Sequence, residues 1–484
     1  MGVTTVNWQG RFAILGWGVS GKASAHALVK RGAQLCAFDG RAREDDQSEN
    51  NANVEFVSEA DSDALAQEVI DWKPDCIVVS PGIPAHHPIF SAAKNADIEL
   101  IGEVELAWRL QEDSEHAGRP WLCVTGTNGK TTTVGMLGAM LRAAGENAVE
   151  VGNIGLPICE AIDTDATVFA VELSSFQLHT VSTVSPLASV CLNVDADHLD
   201  WHGSAQAYAA DKAKVYHLTQ KACFYPASDI TVENMVAEAD VVEGARAIGL
   251  TLGIPSISQV GWVEDALVER AFVEKRHMQA QFLAEVDDLR VAYHDGVTDA
   301  ARMDATAAAG LARAFGVPPE AVAQGLRSFT PALHRRAVIS HAADVTWIDD
   351  SKATNAHAAV ASLSGITPGT AVWIAGGDTK GQEFGDLVAR VAPLLRGVVV
   401  IGKDRSAIVN ALRQRAPQIP FVEVDGHEDW MFSVVNEAVA LSRPGDTVVL
   451  APACASWDQF RSYAQRGDVF RDAVKRLEVN WAAQ

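Results

Sequence analysis

Residues 121–134, Trp-Leu-Cys-Val-Thr-Gly-Thr-Asn-Gly-Lys-Thr-Thr-Thr-Val, have the types and spacing that hold a polyphosphate. An apolar strand runs into Gly126, Thr127, Asn128, Gly129, Lys130, Thr131 and Thr132, and a helical pattern follows. Glycines let backbone N–H groups face phosphate oxygens, and the helix N-terminus adds partial positive charge. Lys130 has the reach for the outer phosphates, and the Thr131 hydroxyl is placed to ligate Mg2+. The loop is two residues shorter than the usual G-x-x-x-x-G-K-[ST]. ATP or a close relative is the expected ligand.

Other residues extend that chemistry. Glu172 ends the run Thr167-Val-Phe-Ala-Val-Glu172. A carboxylate at a strand end in a phosphate-loop domain suits Mg2+; elsewhere it would be a solvated charge. The stretch Asn193-Val-Asp-Ala-Asp197-His198-Leu-Asp-Trp-His202 is dense in ligand-type side chains. His198 beside Asp neighbours reads as part of an Mg·ATP site. The alternative, an H-x3-H zinc pair of His198 and His202, lacks the companions that complete a tetrahedral set. Lys212 and Lys214 fall on a helix-like run and, by pattern alone, are solvated lysines. Three turns near the C-terminus carry small, hydroxyl or cationic residues suited to an anion: Asp350-Ser-Lys352-Ala-Thr354-Asn355, Gly376-Gly-Asp-Thr-Lys380-Gly381 and Ala451-Pro-Ala-Cys-Ala-Ser456-Trp-Asp-Gln-Phe460.

These residues require strands that end where they begin. The chain divides into three segments, 1–115, 116–330 and 331–484, of α/β type. The first opens with a strand into Gly16-Trp-Gly18-Val-Ser20-Gly21, then a helix and a strand ending in Asp39, the start of a Rossmann-like unit. A further strand ends at Ser80 and should face the same crevice. Nucleotide binding is expected there, with Asp39 either holding a ribose or base or remaining a solvated strand end. The second segment carries the phosphate loop, strands at 168–173 and 188–194, and a last helix near 306–315. The third alternates five strands with helices, which means a mostly parallel sheet with functional residues at the strand C-termini.

Composition narrows the partners. A formal charge of −23 in 484 residues argues against nucleic acid. It also implies that basic residues such as Lys130, Arg335, Lys352 and Lys380 are concentrated at anion sites. No apolar run approaches the roughly 20 residues of a membrane span. No export signal is visible, and seven scattered cysteines read as reduced core residues, so a cytoplasmic protein is expected.

Taken together these stretches resemble the ATP-dependent Mur ligases, most closely the branch that adds D-glutamate. The motifs are Gly-Thr-Asn-Gly-Lys-Thr-Thr, Ser80-Pro-Gly82-Ile, Gly152-Asn153-Ile-Gly, Glu172-Leu-Ser-Ser-Phe-Gln177-Leu, Asp197-His198, His334-Arg335, Asp-Ser-Lys-Ala-Thr-Asn, Gly-Gly-Asp-x-Lys and Pro-Ala-Cys-Ala-Ser-x-Asp-Gln-Phe, and they span nearly the whole chain. The resemblance implies a Rossmann-like UDP-binding domain, a central P-loop ATPase-like domain and a C-terminal Rossmann-like domain for the amino acid. Ser20, Asp39, Arg41, Ser80 and Gly82 would then surround the UDP, and Asn153 and Gln177 would touch the rest of that substrate. Thr131 and Glu172 would hold one Mg2+; His198 would share a second with Lys212, which lies where the family carries a carbamylated lysine. Arg335 and Asp350 would contact ATP. Lys352, Thr354, Lys380, Ser456 and Tyr463 would line the D-glutamate site, many relatives having Phe where Tyr463 stands. The implied activity is ATP-dependent addition of D-glutamate to UDP-N-acetylmuramoyl-L-alanine through an acyl phosphate, by a monomer.

One stretch departs from the family. The His-Asn-x-x-Asn pattern used for adenine and ribose is replaced by Asp299-Ala-Ala-Arg302-Met-Asp304-Ala-Thr306, and Asp304 is the candidate to stand in for one Asn. The competing readings are a related ligase adding another amino acid, a folylpolyglutamate-type ligase, or a nucleotide-sensing switch that hydrolyses ATP.

Overall fold

The computed structural model describes residues 7–40, 54–195, 197–293, 296–331, 333–425 and 429–482. Arg41 lies outside the described residues. The strands form three sheets. Their apolar runs are buried along most of their length, as parallel strands covered by helices must be.

The first sheet holds β1 (Arg11–Leu15), β2 (Gln34–Asp39), β3 (Val54–Ser58), β4 (Cys76–Val79) and β5 (Glu99–Gly102). Their order, β3-β2-β1-β4-β5, is parallel throughout. Strand order reverses between β1 and β4, which opens a crevice at their C-terminal ends. Gly16 and Ser80 sit at its two lips, with Ser80 Oγ donating to Gly16 O at 2.7 Å.

The central sheet comprises β6 (Trp121–Thr125), β7 (Ala148–Gly152), β8 (Val168–Glu172), β9 (Ala188–Cys191), β10 (Ala222–Pro226), β11 (Arg246–Leu250), β12 (Gln259–Val263), β13 (Ala266–Glu269) and β14 (Gln281–Glu285). The order is β14-β13-β12-β11-β10-β9-β6-β8-β7. β6 therefore lies between β8 and β9, so the residues following each of these three strands share one rim. The antiparallel β12–β13–β14 extension carries no motif and is not anticipated by the sequence reading. The expected last helix, near 306–315, begins earlier, at Asp299, and a further helix follows at Pro319–Ser328.

The third sheet has β15 (Ala337–Ser340), β16 (Thr346–Asp349), β17 (Ala371–Gly376), β18 (Leu395–Ile401), β19 (Phe421–Glu423) and β20 (Thr447–Leu450), ordered β15-β16-β20-β17-β18-β19. Five of them match the expected strands. β15 is additional and pairs antiparallel with β16, because a short connection returns the chain along the same edge. The chain forms two compact units, Met1–Leu289 with Met303–Phe329, and Arg290–Arg302 with Thr330–Gln484. The first two sheets belong to one unit and the third sheet to the other.

Buried carboxylates join the first sheet to the central one. Glu105, fully buried in the helix Glu103–Glu112, accepts from Ser182 N (2.8 Å), Ser182 Oγ (3.0 Å), Thr183 N (3.0 Å) and Thr183 Oγ (2.6 Å), and pairs with Arg109 at 2.8 Å. Burial alone would raise its pKa, but the bonds from Thr183 and Ser182 and the charge of Arg109 outweigh it and hold the carboxyl below the usual range. Glu103, on the same helix, accepts from Cys159 N at 2.7 Å and is pushed up to about 7 by burial.

A carboxylate with a depressed pKa contributes stability above its unfolded value, and the contribution is lost as pH falls through the folded value. Glu105→Ala leaves the Ser182 and Thr183 donors without their acceptor and Arg109 with Glu99 as its remaining carboxylate, and should cost about 3 kcal/mol in denaturant unfolding. The deficit should shrink on acidification below the ordinary carboxylate range; a deficit independent of pH would contradict this account.

Candidate active site

The phosphate loop is strapped from outside. β6 hands over at Thr125, whose Oγ1 donates to Leu173 O at 2.8 Å. Gly126 has φ 151° and Gly129 has φ 86°, the left-handed conformation that starts the helix Lys130–Ala143. Thr127 N donates to Asn193 O (3.0 Å) and Asn128 N to Asn193 Oδ1 (2.9 Å), while Asn193 Nδ2 returns a bond to Asn128 O (3.2 Å). Thr127 Oγ1 lies 3.0 Å from the Tyr208 hydroxyl and accepts from Asp195 N at 3.0 Å. Two loop amides are thus consumed by the segment after β9, which fixes the loop's curvature before any ligand arrives.

Two cations converge on one carbonyl. Lys130 Nζ donates to Gly126 O (2.8 Å) and Thr127 O (3.0 Å), and Lys212 Nζ donates to the same Gly126 O (2.8 Å). The sequence pattern makes Lys212 a solvated helix lysine; the structure corrects this, for Lys212 is 2% exposed on the inner face of the helix Ala205–Ala213. Burial, helped by the charge of Lys130, pulls its pKa down to about 7.

The Thr131 hydroxyl donates to Glu172 Oε2 at 2.6 Å, and Asn153 Nδ2 donates to Glu172 Oε1 at 2.9 Å. A hydroxyl and a carboxylate side by side at the phosphate loop are a hard-oxygen pair of the kind Mg2+ prefers, with phosphate oxygens and water completing the shell. His198 sits in the left-handed region (φ 53°); its amide bonds Asp197 Oδ1 and its ring rests on Phe176, centroids 4.8 Å apart. His202 points elsewhere. Its Nδ1 is 3.0 Å from Asp211 Oδ2 and its Nε2 is 3.0 Å from Ser175 Oγ, so it does not pair with His198.

In the first sheet, Asp39 is not a solvated strand end, since its Oδ2 accepts from Trp17 N at 2.7 Å and stiffens the Gly-rich turn. Ser20 lies in the first turn of the helix Val19–Val29, and exposed Gly82 follows Ser80. Gln177 is buried; its Oε1 accepts from Ser174 N (3.0 Å), closing a capping box on the short helix Ser175–Leu178.

In the second unit, β16, β20 and β17 are neighbours, so the three anion-suited turns stand on consecutive strand ends. Lys352 Nζ lies 4.1 Å from the Tyr463 ring centroid. Thr354 N donates to Lys352 O (2.7 Å), and Lys380, with φ 49°, is turned outward by an amide bond to Asp378 Oδ1. Ser456 is buried, and Asp378 and Ala455 bond each other's backbone. Burial pushes Asp350 up to about 6, against the nearby charges of Arg335 and Arg336.

Sequence reasoning missed the residues that hold these turns. Arg466, 1% exposed, donates to Ser351 Oγ (3.0 Å), Ser351 O (2.9 Å), Cys454 O (3.1 Å) and Ala455 O (3.3 Å), tying two strand ends together. Nothing in its local sequence marks it. Tyr208 is equally silent, since a periodic pattern shows only that Tyr208 and Lys212 share a helical face, and Asn193 is marked only as the start of a stretch rich in ligand-type side chains, not as a brace of the loop. Asp304 lies against the phosphate loop, where a Cβ on Gly129 would overlap its Oδ1.

Three family models match in order: "Mur ligase MurD-like, N-terminal domain" over residues 10–102, "Mur ligase middle domain" over 124–249 and "Mur ligase, glutamate ligase domain" over 334–454. The chain is 47% identical to the UDP-N-acetylmuramoylalanine–D-glutamate ligase of Streptomyces coelicolor over 471 residues, covering 96% of this chain and 97% of that protein. It is 44% identical to the enzyme of the same name from Thermobifida fusca, covering 96% and 98%. Among solved structures, the MurF ligase from Thermotoga maritima in complex with ADP superimposes with a TM-score of 0.58 at 15% identity, over 98% of this chain and all of that one. A pseudomurein peptide ligase type C from Methanothermus fervidus gives 0.56 at 15% identity, over 97% of this chain and 100% of its own. At such identities the structural likeness is one of fold, while the near-full-length sequence identity makes the chain a member of the Mur ligase family.

Proposed function

We propose that the protein is an ATP-dependent ligase that joins D-glutamate to UDP-N-acetylmuramoyl-L-alanine in peptidoglycan precursor synthesis, acting as a cytoplasmic monomer. The observation that carries the reading is the phosphate loop with Lys130, Lys212 and the Thr131–Glu172 pair around it, in a chain 47% identical to a ligase of that name.

A carboxylate is a poor electrophile. Transfer of the γ-phosphoryl group of ATP to the alanyl carboxylate gives an acyl phosphate and ADP. The amine of D-glutamate then attacks the acyl carbon, and the tetrahedral intermediate expels phosphate, leaving the amide and a proton. Lys130, held over the loop by Gly126 O and Thr127 O, offsets the charge as two anions approach each other. Thr131 and Glu172 would hold one Mg2+, and His198 with a carbamylated Lys212 a second; bound there, the ions supply charge neutralisation for phosphoryl transfer. The lowered pKa of Lys212 favours the neutral amine that reacts with CO2. Ser20, Asp39, Ser80 and Gly82 would receive the UDP, with Asn153 and Gln177 nearer the reacting end. Arg335 and Asp350 would meet ATP, and Asp304 would serve where relatives use Asn. Lys352, Thr354, Lys380, Ser456 and Tyr463 would take the two carboxylates of D-glutamate.

Phosphate release should require ATP, the UDP-linked substrate and D-glutamate together. A panel of D- and L-amino acids tests this, and equal turnover with L-glutamate, or turnover with no acceptor, would sink the proposal. Lys130→Met should lower kcat by at least about 100-fold. Glu172→Gln should raise the Mg2+ concentration for half-maximal rate by about 10-fold or more, with KM for D-glutamate little changed. An amine with a pKa near 7 is protonated below that pH and then cannot hold CO2. Activity should therefore fall as pH drops below about 7 and recover with added bicarbonate. A 13C carbamate signal from labelled bicarbonate should vanish in Lys212→Arg; its persistence there would exclude Lys212 as the carbamylated residue.

A further inference from the structure

We propose that Trp201 is a substrate-recognition residue whose indole N–H donates to an acyl oxygen of the sugar–peptide portion of the UDP-linked substrate. The proposal rests on the ligase reading above and deepens it.

The first and central sheets, in one compact unit, enclose a cleft with Ser80 and Phe90 on one wall and Phe176, Gln177, His179 and Trp201 on the other. A ligand with its UDP at the first sheet's crevice and its carboxylate at the phosphate loop must cross between these walls. What crosses is the N-acetyl sugar and its lactyl-alanyl arm, which present C–H faces and neutral carbonyl oxygens. The lining of the cleft suits both, and its walls must part to admit the ligand. Its aromatic rings suit sugar faces, and Trp201 offers a neutral donor.

That donor is unused. Among the described residues, Trp201 Nε1 is buried with no hydrogen-bond partner. The four most deeply buried tryptophans each have an indole N–H that is satisfied: Trp121 by Gln111, Trp262 by Thr306, Trp347 by Ala342 O and Trp373 by Ala451 O. A buried N–H without an acceptor is costly and uncommon, and a ligand that supplies the acceptor recovers the loss.

The ring cannot easily turn to find another partner. It packs on His202 (centroids 4.5 Å), Phe176 (4.8 Å) and His179 (5.3 Å). Asp211 fixes both histidines, His179 Nδ1 at 2.8 Å and His202 Nδ1 at 3.0 Å, and Lys214 holds its other oxygen at 2.9 Å. Asp211 directly precedes Lys212, so one helix both braces the aromatic wall and delivers Lys212 to Gly126 O. The donor is thereby held in register with the reacting end.

The test is the indole 15N–1H resonance of Trp201 in the unaltered chain, assigned by its loss in Trp201→Phe. It should move downfield on titration with UDP-N-acetylmuramoyl-L-alanine and stay in place with UDP or ATP. If UDP-N-acetylglucosamine moves it equally, the acceptor is the N-acetyl oxygen; if not, the acceptor lies on the lactyl-alanyl arm. In kinetics, Trp201→Phe keeps the ring and removes the donor. It should raise KM for the UDP-linked substrate about 10-fold while KM for ATP and for D-glutamate changes less than about twofold. An unmoved resonance, an equal shift with UDP alone, or an unchanged KM overturns the proposal. Failure of the unaltered protein to release phosphate with all three substrates would instead overturn the ligase reading, a result separable from these.

Discussion

A loop that cradles phosphate must aim its own amides at the ligand, so it forgoes the internal bonds that normally hold a turn. Something outside it has to supply the shape. Here the segment after β9 does so, with Asn193 bonding Asn128 on both sides and Asp195 and Tyr208 meeting on Thr127. That arrangement is possible only because β6 lies between β8 and β9, which brings Glu172 to one side of the loop and Asn193 to the other. Sheet order is thus the constraint from which the site's geometry follows.

The same constraint concentrates charge. A chain of net charge −23 buries Lys212 and Arg466 almost completely and points Lys130 and Lys212 at a single carbonyl oxygen. Two ammonium groups so close repel each other, and burial removes the water that would screen them. The lowered pKa of Lys212 relieves that repulsion by favouring its neutral amine. Arg466 solves a different problem. Its nitrogens meet neutral oxygens, while the nearby carboxylates of Asp458 and Asp349 favour its charge against the cost of burial.

Between the first and central sheets the joint is made of carboxylates. Glu105 gathers the Ser182 and Thr183 donors, and Glu103 takes the amide of Cys159. Both lie on the helix that follows β5, so the crevice lip carrying Ser80 and the wall carrying Gln177 belong to one compact unit. The spacing of these two surfaces is set by buried bonds.

The sequence by itself determined the element types and the local chemistry. Apolar runs bounded by glycine turns mark β1, β4, β6, β8, β16, β17 and β20, and the Gly126–Thr132 stretch announces a phosphate site because its geometry is local to a few consecutive residues. It did not reveal β15 or the β12–β14 extension, whose pairings are antiparallel and carry no motif. Nor did it reveal Asp211, Tyr208 or Arg466, and Lys212 stood out only through the family resemblance, since a lysine or arginine on a helix reads as solvated until its neighbours are known. Those residues owe their character to what lies across from them: Gly126 O, His179 and His202, Thr127, and the ends of β16 and β20. Burial and hydrogen-bond partnership are properties of pairs distant in the chain, up to 115 residues apart for Arg466 and Ser351, so only the tertiary structure could decide them.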